Sequence, residues 1–145
     1  MDPIELRWQR LRPNARLPEQ QTELASGYDL HACIDELLVL GTMPTRVPTG
    51  VAIAAPAGID VQVRPRSGLF ARGVIGTVGT LDADYRGELF VTLYCLTDLG
   101  SFEIADGDRI GQLVVARLVG VSWREVEELN DTARGAGGHG STGLR

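Results

Sequence analysis

Apolar and polar residues alternate along much of this chain with the two-residue repeat of strands rather than the longer repeat of helices. Ile4, Leu6 and Trp8 alternate with Glu5, Arg7 and Gln9, and Ile59, Val61 and Val63 with Asp60, Gln62 and Arg64. Leu89, Val91 and Leu93 oppose Phe90, Thr92 and Tyr94, which predicts a strand covered on both faces. Further strands are predicted over Tyr28–Ile34, Glu36–Leu40, Val51–Ala54 and Arg109–Leu118. Turn formers stand between them: Pro44, Pro48, Pro56-Ala57-Gly58, Asp98-Leu99-Gly100 and Ala105-Asp106-Gly107-Asp108. Only Ser67–Arg72 has a helical pattern, with Ser67 placed to cap it and Gly73 to end it. Many short strands at regular spacing predict an all-β barrel or sandwich with one short helix.

Length and composition narrow the partners. A chain of 145 residues, 43% hydrophobic and 23% charged, suits one globular domain. The formal net charge of −5 argues against a nucleic-acid surface, so any phosphate site is local and suits a mononucleotide. All fourteen basic residues are arginine, which excludes lysine phosphate loops and Schiff-base chemistry. Cys33 and Cys95 stand apart in apolar stretches and read as buried thiols in a reducing compartment. That His31 and His139 are the only histidines argues against a zinc cage of histidine and cysteine. No apolar run approaches the ~20 residues of a membrane span, and Met1–Trp8 lacks the apolar core of a signal peptide. A cytoplasmic location, with no membrane partner, is the expectation.

The pattern breaks near Thr132. Residues 1–132 read as the folded core and 133–145 as a flexible arm, whose last eleven residues carry five glycines. Glycine loses much entropy on ordering and offers no side chain to pack, so this segment forms no element of its own. With Arg134, Ser141 and Thr142 it can wrap an anion, a reading these groups favour somewhat over a frayed terminus. Gly135, Gly137 and Gly140 spell the glycine spacing of a dinucleotide fold, but neither a strand before nor a helix after has room.

Four further clusters carry candidate chemistry. In Arg64-Pro65-Arg66-Ser67-Gly68 a turn opens a helical turn whose free N–H groups favour an anion; two solvated arginines beside a capped helix fit equally. In Thr80-Leu81-Asp82-Ala83-Asp84-Tyr85-Arg86-Gly87 two carboxylates stand by a ring and a cation. This is either a polar hairpin connection or a place where a partly buried carboxylate takes a proton from water. Gly107-Asp108-Arg109-Ile110-Gly111-Gln112-Leu113 delivers Arg109 and Gln112 at the head of a strand, with Arg109 also suited to pairing a carboxylate. Ala25-Ser26-Gly27-Tyr28-Asp29-Leu30 turns into a strand bearing Asp29 and says little alone.

Taken in order with the tail, these clusters resemble the five motifs of the trimeric dUTPases. The resemblance runs from Ala25 to Gly143 through Ser-Gly-Tyr-Asp-Leu, Pro-Arg-Ser-Gly-Leu, Leu-Asp-Ala-Asp-Tyr-Arg-Gly-Glu, Asp-Arg-Ile-Gly-Gln-Leu and the glycine-rich end. It implies a distorted, jelly-roll-like β-barrel with mixed and antiparallel strands, assembled as a homotrimer. Each of three sites would take motifs one, two and four from one subunit, motif three from another and the arm from the third. The implied reaction is hydrolysis of dUTP to dUMP and pyrophosphate.

Carried onto this sequence, the resemblance makes Asp82 the base that orients and deprotonates the water. Tyr85 packs on the deoxyribose and excludes a 2′-hydroxyl. Gly76-Thr77-Val78-Gly79 matches a hairpin whose backbone reads the uracil edge, with Thr77, Val78 and Gly79 in contact. Ser67, Gly68 and Gln112 contact phosphate, with Arg66 beside them. Arg134, His139, Gly140, Ser141 and Thr142 close over the nucleotide, and Asp29 reaches Mg²⁺ through water. His139 stands where the family has a phenylalanine; imidazole stacks too, but titrates near neutral pH, so binding is expected to weaken as pH falls. A related fold-sharing activity, dCTP deamination, uses a glutamate at the position aligned with Thr92, which has no carboxylate. A trimer that binds nucleotide without catalysis would be expected to lack Asp82, Tyr85 or Arg134, and all three are present.

Overall fold

The computed structural model describes residues 3–96 and 102–138. The chain runs β1 (Arg7–Arg10), β2 (Gly27–His31), β3 (Leu38–Leu40), β4 (Thr45–Pro48), β5 (Val51–Ala54), β6 (Ile59–Arg64) and α1 (Ser67–Phe70). It continues through β7 (Val74–Gly76), β8 (Gly79–Leu81), β9 (Phe90–Cys95), β10 (Phe102–Ile104) and β11 (Arg109–Arg117). Four sheets result, in the orders β1-β5, β10-β3, β2-β11-β6-β8 and β4-β9-β7. Every strand pairing among the described residues is antiparallel, so the mixed pairing that the resemblance implies is absent there.

The sheets close around one apolar cluster, giving the expected all-β architecture, with a single short helix among the described residues. Val61, Val63, Val91, Leu93, Leu30 and Ile110 meet in it from three strands of one sheet and the middle strand of another. Each such side chain taken from water contributes roughly 1.5–3 kcal/mol, which is what holds strands this short in place. β6 and β9 alternate buried with half-buried positions along their lengths. The second face of β9 is therefore only partly covered; there the Arg46 guanidinium lies 4.3 Å from the Phe90 ring centre.

Several boundaries differ from the sequence pattern for physical reasons. β1 starts at Arg7 because its ladder with β5 starts there, while Ile4 turns onto the core before the strand begins. β4, β7, β8 and β10 are three or four residues long, too short for alternation to register. Pro48 closes β4, an edge strand, where a missing N–H costs no ladder bond. Ser67 does not cap α1: the capping residue is Arg66, in extended geometry, and no side chain bonds the free N–H groups.

Among the described residues, regular structure ends at Arg117. From Leu118 to Ala136 every residue is exposed, including Val119, Val121, Trp123, Val126 and Leu129. No helix among the described residues is long and apolar enough to cross a membrane.

Candidate active site

A β-bulge builds the centre of the site. Residues three apart on a strand normally point to opposite faces, so Arg109 and Gln112 would diverge on a regular β11. Here the register with β2 shifts between Arg109 and Gly111, leaving Arg109 opposite His31 and Gln112 opposite Asp29. The extra residue, Ile110, goes fully into the core. Arg109 and Gln112 consequently share a face with Asp29, as bulges commonly arrange near functional sites.

Asp29 is 8% exposed and held between two guanidiniums. Arg109 Nη1 donates to Oδ2 at 3.2 Å, and Arg66 Nε lies 3.4 Å from Oδ1. Arg66 also donates to the Arg109 carbonyl at 3.0 Å. Two cations around one carboxylate leave a net positive charge, suited to an anion with more than one charge. Gln112 Nε2 donates to the Pro65 carbonyl at 3.0 Å, tying β11 to the turn before α1.

Asp29, Arg66, Ser67, Gly68, Arg109 and Gln112 line one cavity of about 370 Å³, so motifs one, two and four of the sequence do converge. The N–H groups of Ser67 and Gly68, at the start of α1, precede any intrahelical partner. A Cβ at Gly68 would meet nothing within 4 Å, so no internal packing demands glycine there. A ligand approaching that backbone would. Arg109 was legible as a carboxylate partner; Gln21, which also lines the cavity, sits in a polar stretch that carried no signal.

The third motif lies elsewhere. None of residues 76–88 lines that cavity in the single chain. Asp82 is exposed rather than partly buried. Its carbonyl takes the Tyr85 N–H at 3.0 Å, closing a tight turn after β8. The Tyr85 ring lies over Gly87, where a Cβ would stand 2.3 Å from the hydroxyl, and that hydroxyl donates to the Glu88 carbonyl at 3.0 Å. Arg86 braces the same loop by donating to the Ala83 and Tyr85 carbonyls, each at 2.7 Å.

Gly76-Thr77-Val78-Gly79 is not a hairpin. β7 pairs with β9 and β8 with β6, so this stretch crosses between two sheets. Gly76 is pinched at the crossing: a Cβ would stand 2.9 Å from Pro65 Cβ. The Thr77 N–H is already bonded to the Thr92 carbonyl at 3.0 Å, while Thr77 and Val78 project outward. Arg134 lies on the exposed arm, where its Nε donates to the Gly137 carbonyl at 2.8 Å. His139, Gly140, Ser141 and Thr142 lie outside the described residues.

Among the described residues no cluster of three or more acidic, histidine or cysteine side chains could hold a metal ion directly. Oδ2 of Asp29 accepts from Arg109 and Oδ1 faces Arg66 as an ion pair, but a carboxylate has about four acceptor positions, so room remains. That suits a hydrated ion contacted through its water.

Comparison with known proteins gives the family. The sequence model of the family described as dUTPase matches residues 13–143. The deoxyuridine 5′-triphosphate nucleotidohydrolase of Leptospira interrogans is 48% identical over 141 residues, covering 93% of this chain and 96% of the relative. The enzyme of the same name from Treponema denticola is 45% identical over 139 residues, covering 93% and 96%. Among solved structures, a mutant dUTPase of Staphylococcus bacteriophage 80alpha with dUpNHpp superposes with TM-score 0.83 at 27% identity, covering 97% of this chain and 99% of that one. A mutant dUTPase from phage phi11 of S. aureus, described with a structural Mg(II) ion, gives 0.77 at 25% identity, covering 86% and 97%. Matched by its family model over most of its length and by these structures in fold, the chain belongs to the dUTPase family.

Proposed function

We propose that this chain hydrolyses dUTP to dUMP and pyrophosphate by attack of water on the α-phosphorus. The observation that carries the reading is the cavity in which Asp29 braces Arg66 and Arg109 beside the free N–H groups of Ser67 and Gly68 and the amide of Gln112. It presents fixed positive charge and backbone donors to a polyphosphate, and donors set in advance need no rearrangement as charge moves during reaction. Asp82 takes the proton from the attacking water, whose oxygen bonds phosphorus as the pyrophosphate oxygen leaves. Tyr85 offers its free face to the deoxyribose, and Thr77, Val78 and Gly79 line the base, with Thr77 and Val78 both exposed for that contact.

Mg²⁺ is the proposed cofactor; Asp29 would hold it through water, and when bound with the triphosphate it would supply charge neutralisation at the phosphates. The site's cations from this chain are all guanidinium and stay charged throughout.

A homotrimer is the proposed assembly. Two observations support it: the Asp82–Tyr85 loop is remote from the phosphate cavity of its own chain, and residues 118–129 expose a row of large apolar side chains. Both are explained if a neighbour supplies the missing parts and covers the row. The arm from 133 onward would then close over a neighbour's site, with Arg134, His139, Gly140, Ser141 and Thr142 as its contacts. We place the enzyme in the cytoplasm, where its two buried, unpaired thiols are at home.

The test is pyrophosphate release with Mg²⁺ from dUTP, dCTP, dTTP and UTP, for wild type and Asp82→Asn. Release from dUTP alone, lost in the variant, is the expected result. Ammonia release from dCTP overturns the reading.

A further inference from the structure

Glu88 closes the loop that carries Asp82 and Tyr85, and its carboxylate points back into the barrel. Oε1 accepts the Gly50 N–H at 2.8 Å and lies 3.7 Å from Arg12 Nε, with the Glu88 side chain 16% exposed. The anchorage is rigid. Gly50 is buried with φ +68°, and a Cβ there would stand 2.7 Å from both Ala15 Cβ and Cys33 Sγ. Its carbonyl accepts from Leu11 at 2.8 Å, and Arg12 donates to the Cys33 carbonyl at 3.2 Å.

The other end of Glu88 holds the ring of Tyr85. Its carbonyl receives the Tyr85 hydroxyl at 3.0 Å. The remaining loop bonds, from Tyr85 to Asp82 and from Arg86 to Ala83 and Tyr85, are internal. They stiffen the loop as a unit but do not attach it to the barrel. Its end is attached by the backbone at Leu89, whose N–H donates to the Val51 carbonyl at 2.8 Å. The Glu88 carboxylate adds the side-chain attachment, a charge-assisted bond to the Gly50 N–H.

We infer that Glu88 is a positioning residue for sugar discrimination, setting the height of the Tyr85 ring by pinning its loop to Gly50 and Arg12. This rests on the reading of Tyr85 as the surface that meets the deoxyribose. A hydroxyl is excluded there only if the ring cannot retreat, and a retreat on the order of 1 Å is enough to change rates a hundredfold.

The test is the ratio of kcat/KM for dUTP to that for UTP. Glu88→Ala is expected to lower the ratio by about tenfold or more, chiefly through KM, whereas Glu88→Gln, which keeps an oxygen for the Gly50 N–H, stays within about threefold of wild type. A Glu88→Gln ratio as low as that of Glu88→Ala overturns the role of that bond. Tyr85→Ala separates the two layers of the argument. An unchanged ratio in Tyr85→Ala overturns the reading of the ring, and this inference with it. A collapsed ratio in Tyr85→Ala beside a preserved one in folded Glu88→Ala overturns the inference alone. If Glu88→Ala loses its far-ultraviolet dichroism, Glu88→Asp, one methylene too short to reach, replaces it with the same expected drop, and a preserved ratio overturns the inference.

Discussion

The side-chain oxygen of Gln112 rests on Gly27, so closely that a Cβ at position 27 would stand 2.2 Å from it. The contact locks the amide toward the Pro65 carbonyl, and so sets a donor-bearing group at the edge of the phosphate cavity. Gly27→Ala must push Gln112 aside. The blocked atom is the far end of a flexible side chain, so the fold should survive with a loss of about 1 kcal/mol, one hydrogen bond's worth. The dUTP KM should rise about tenfold, read in steady-state kinetics beside a thermal melt.

Asp29→Asn removes the charge that both Arg66 and Arg109 embrace. The arginines then repel one another and lose their fixed placement. We expect kcat/KM for dUTP to fall about ten- to hundredfold, the scale of a lost hydrogen bond to a charged group. The Mg²⁺ concentration giving half-maximal rate should rise as well. An unaltered Mg²⁺ titration would remove Asp29 from the ion's water shell.

His31 supplies a pH dependence of stability. Burial lowers its pKa first, Arg16 and Arg109 add to that, and Asp29 and Glu19 oppose it. Its Nδ1 is buried without a hydrogen-bond partner. The unfolded chain takes up the proton near pH ~6.5, the folded chain only below that. Between the two pKa values the unfolded state holds more protons, so this contribution is complete above about pH 6.5 and declines as pH falls through that window. His31→Asn should flatten the Tm-against-pH curve between about pH 7 and 5.

Ending the chain at Ala133 should leave melting and sedimentation unchanged while kcat/KM falls at least about tenfold if, as proposed, the arm closes over the nucleotide to exclude water and order the phosphates. Retained turnover would reduce the arm to a bystander.

Val121→Asp with Trp123→Ser should drive the assembly toward monomers in sedimentation, because both side chains are exposed in the isolated chain and need a neighbour to cover them. A trimer as stable as wild type would locate the interface elsewhere.

The sequence disclosed the strands whose alternation spans five or six residues, such as β6 and β9, because burial repeats there often enough to be seen. Three-residue strands such as β7 and β8 hold too few positions, and their sheet partners depend on tertiary crossing. The hairpin that the resemblance implies over residues 76–79 is accordingly a crossover between two sheets. In the site, Asp29, Arg66, Ser67, Gly68 and Gln112 were legible as motif residues that meet in one cavity. The bulge at Ile110 was not, since nothing in the composition of β11 marks the extra residue. Nor was the grip of Glu88 on Gly50, made across 38 residues of chain.

The exposed stretch after Arg117 has a consequence for dosage. If the arm is delivered by a covalent tether, it meets its site as an intramolecular ligand, at an effective concentration of the order of millimolar for a short flexible connection. Affinity of the arm for the closed nucleotide can then be weak and still suffice, leaving it free to release product. A free peptide covering residues 133–145 should restore a truncated enzyme only near millimolar dose. Below that, the tether itself is what the enzyme is missing.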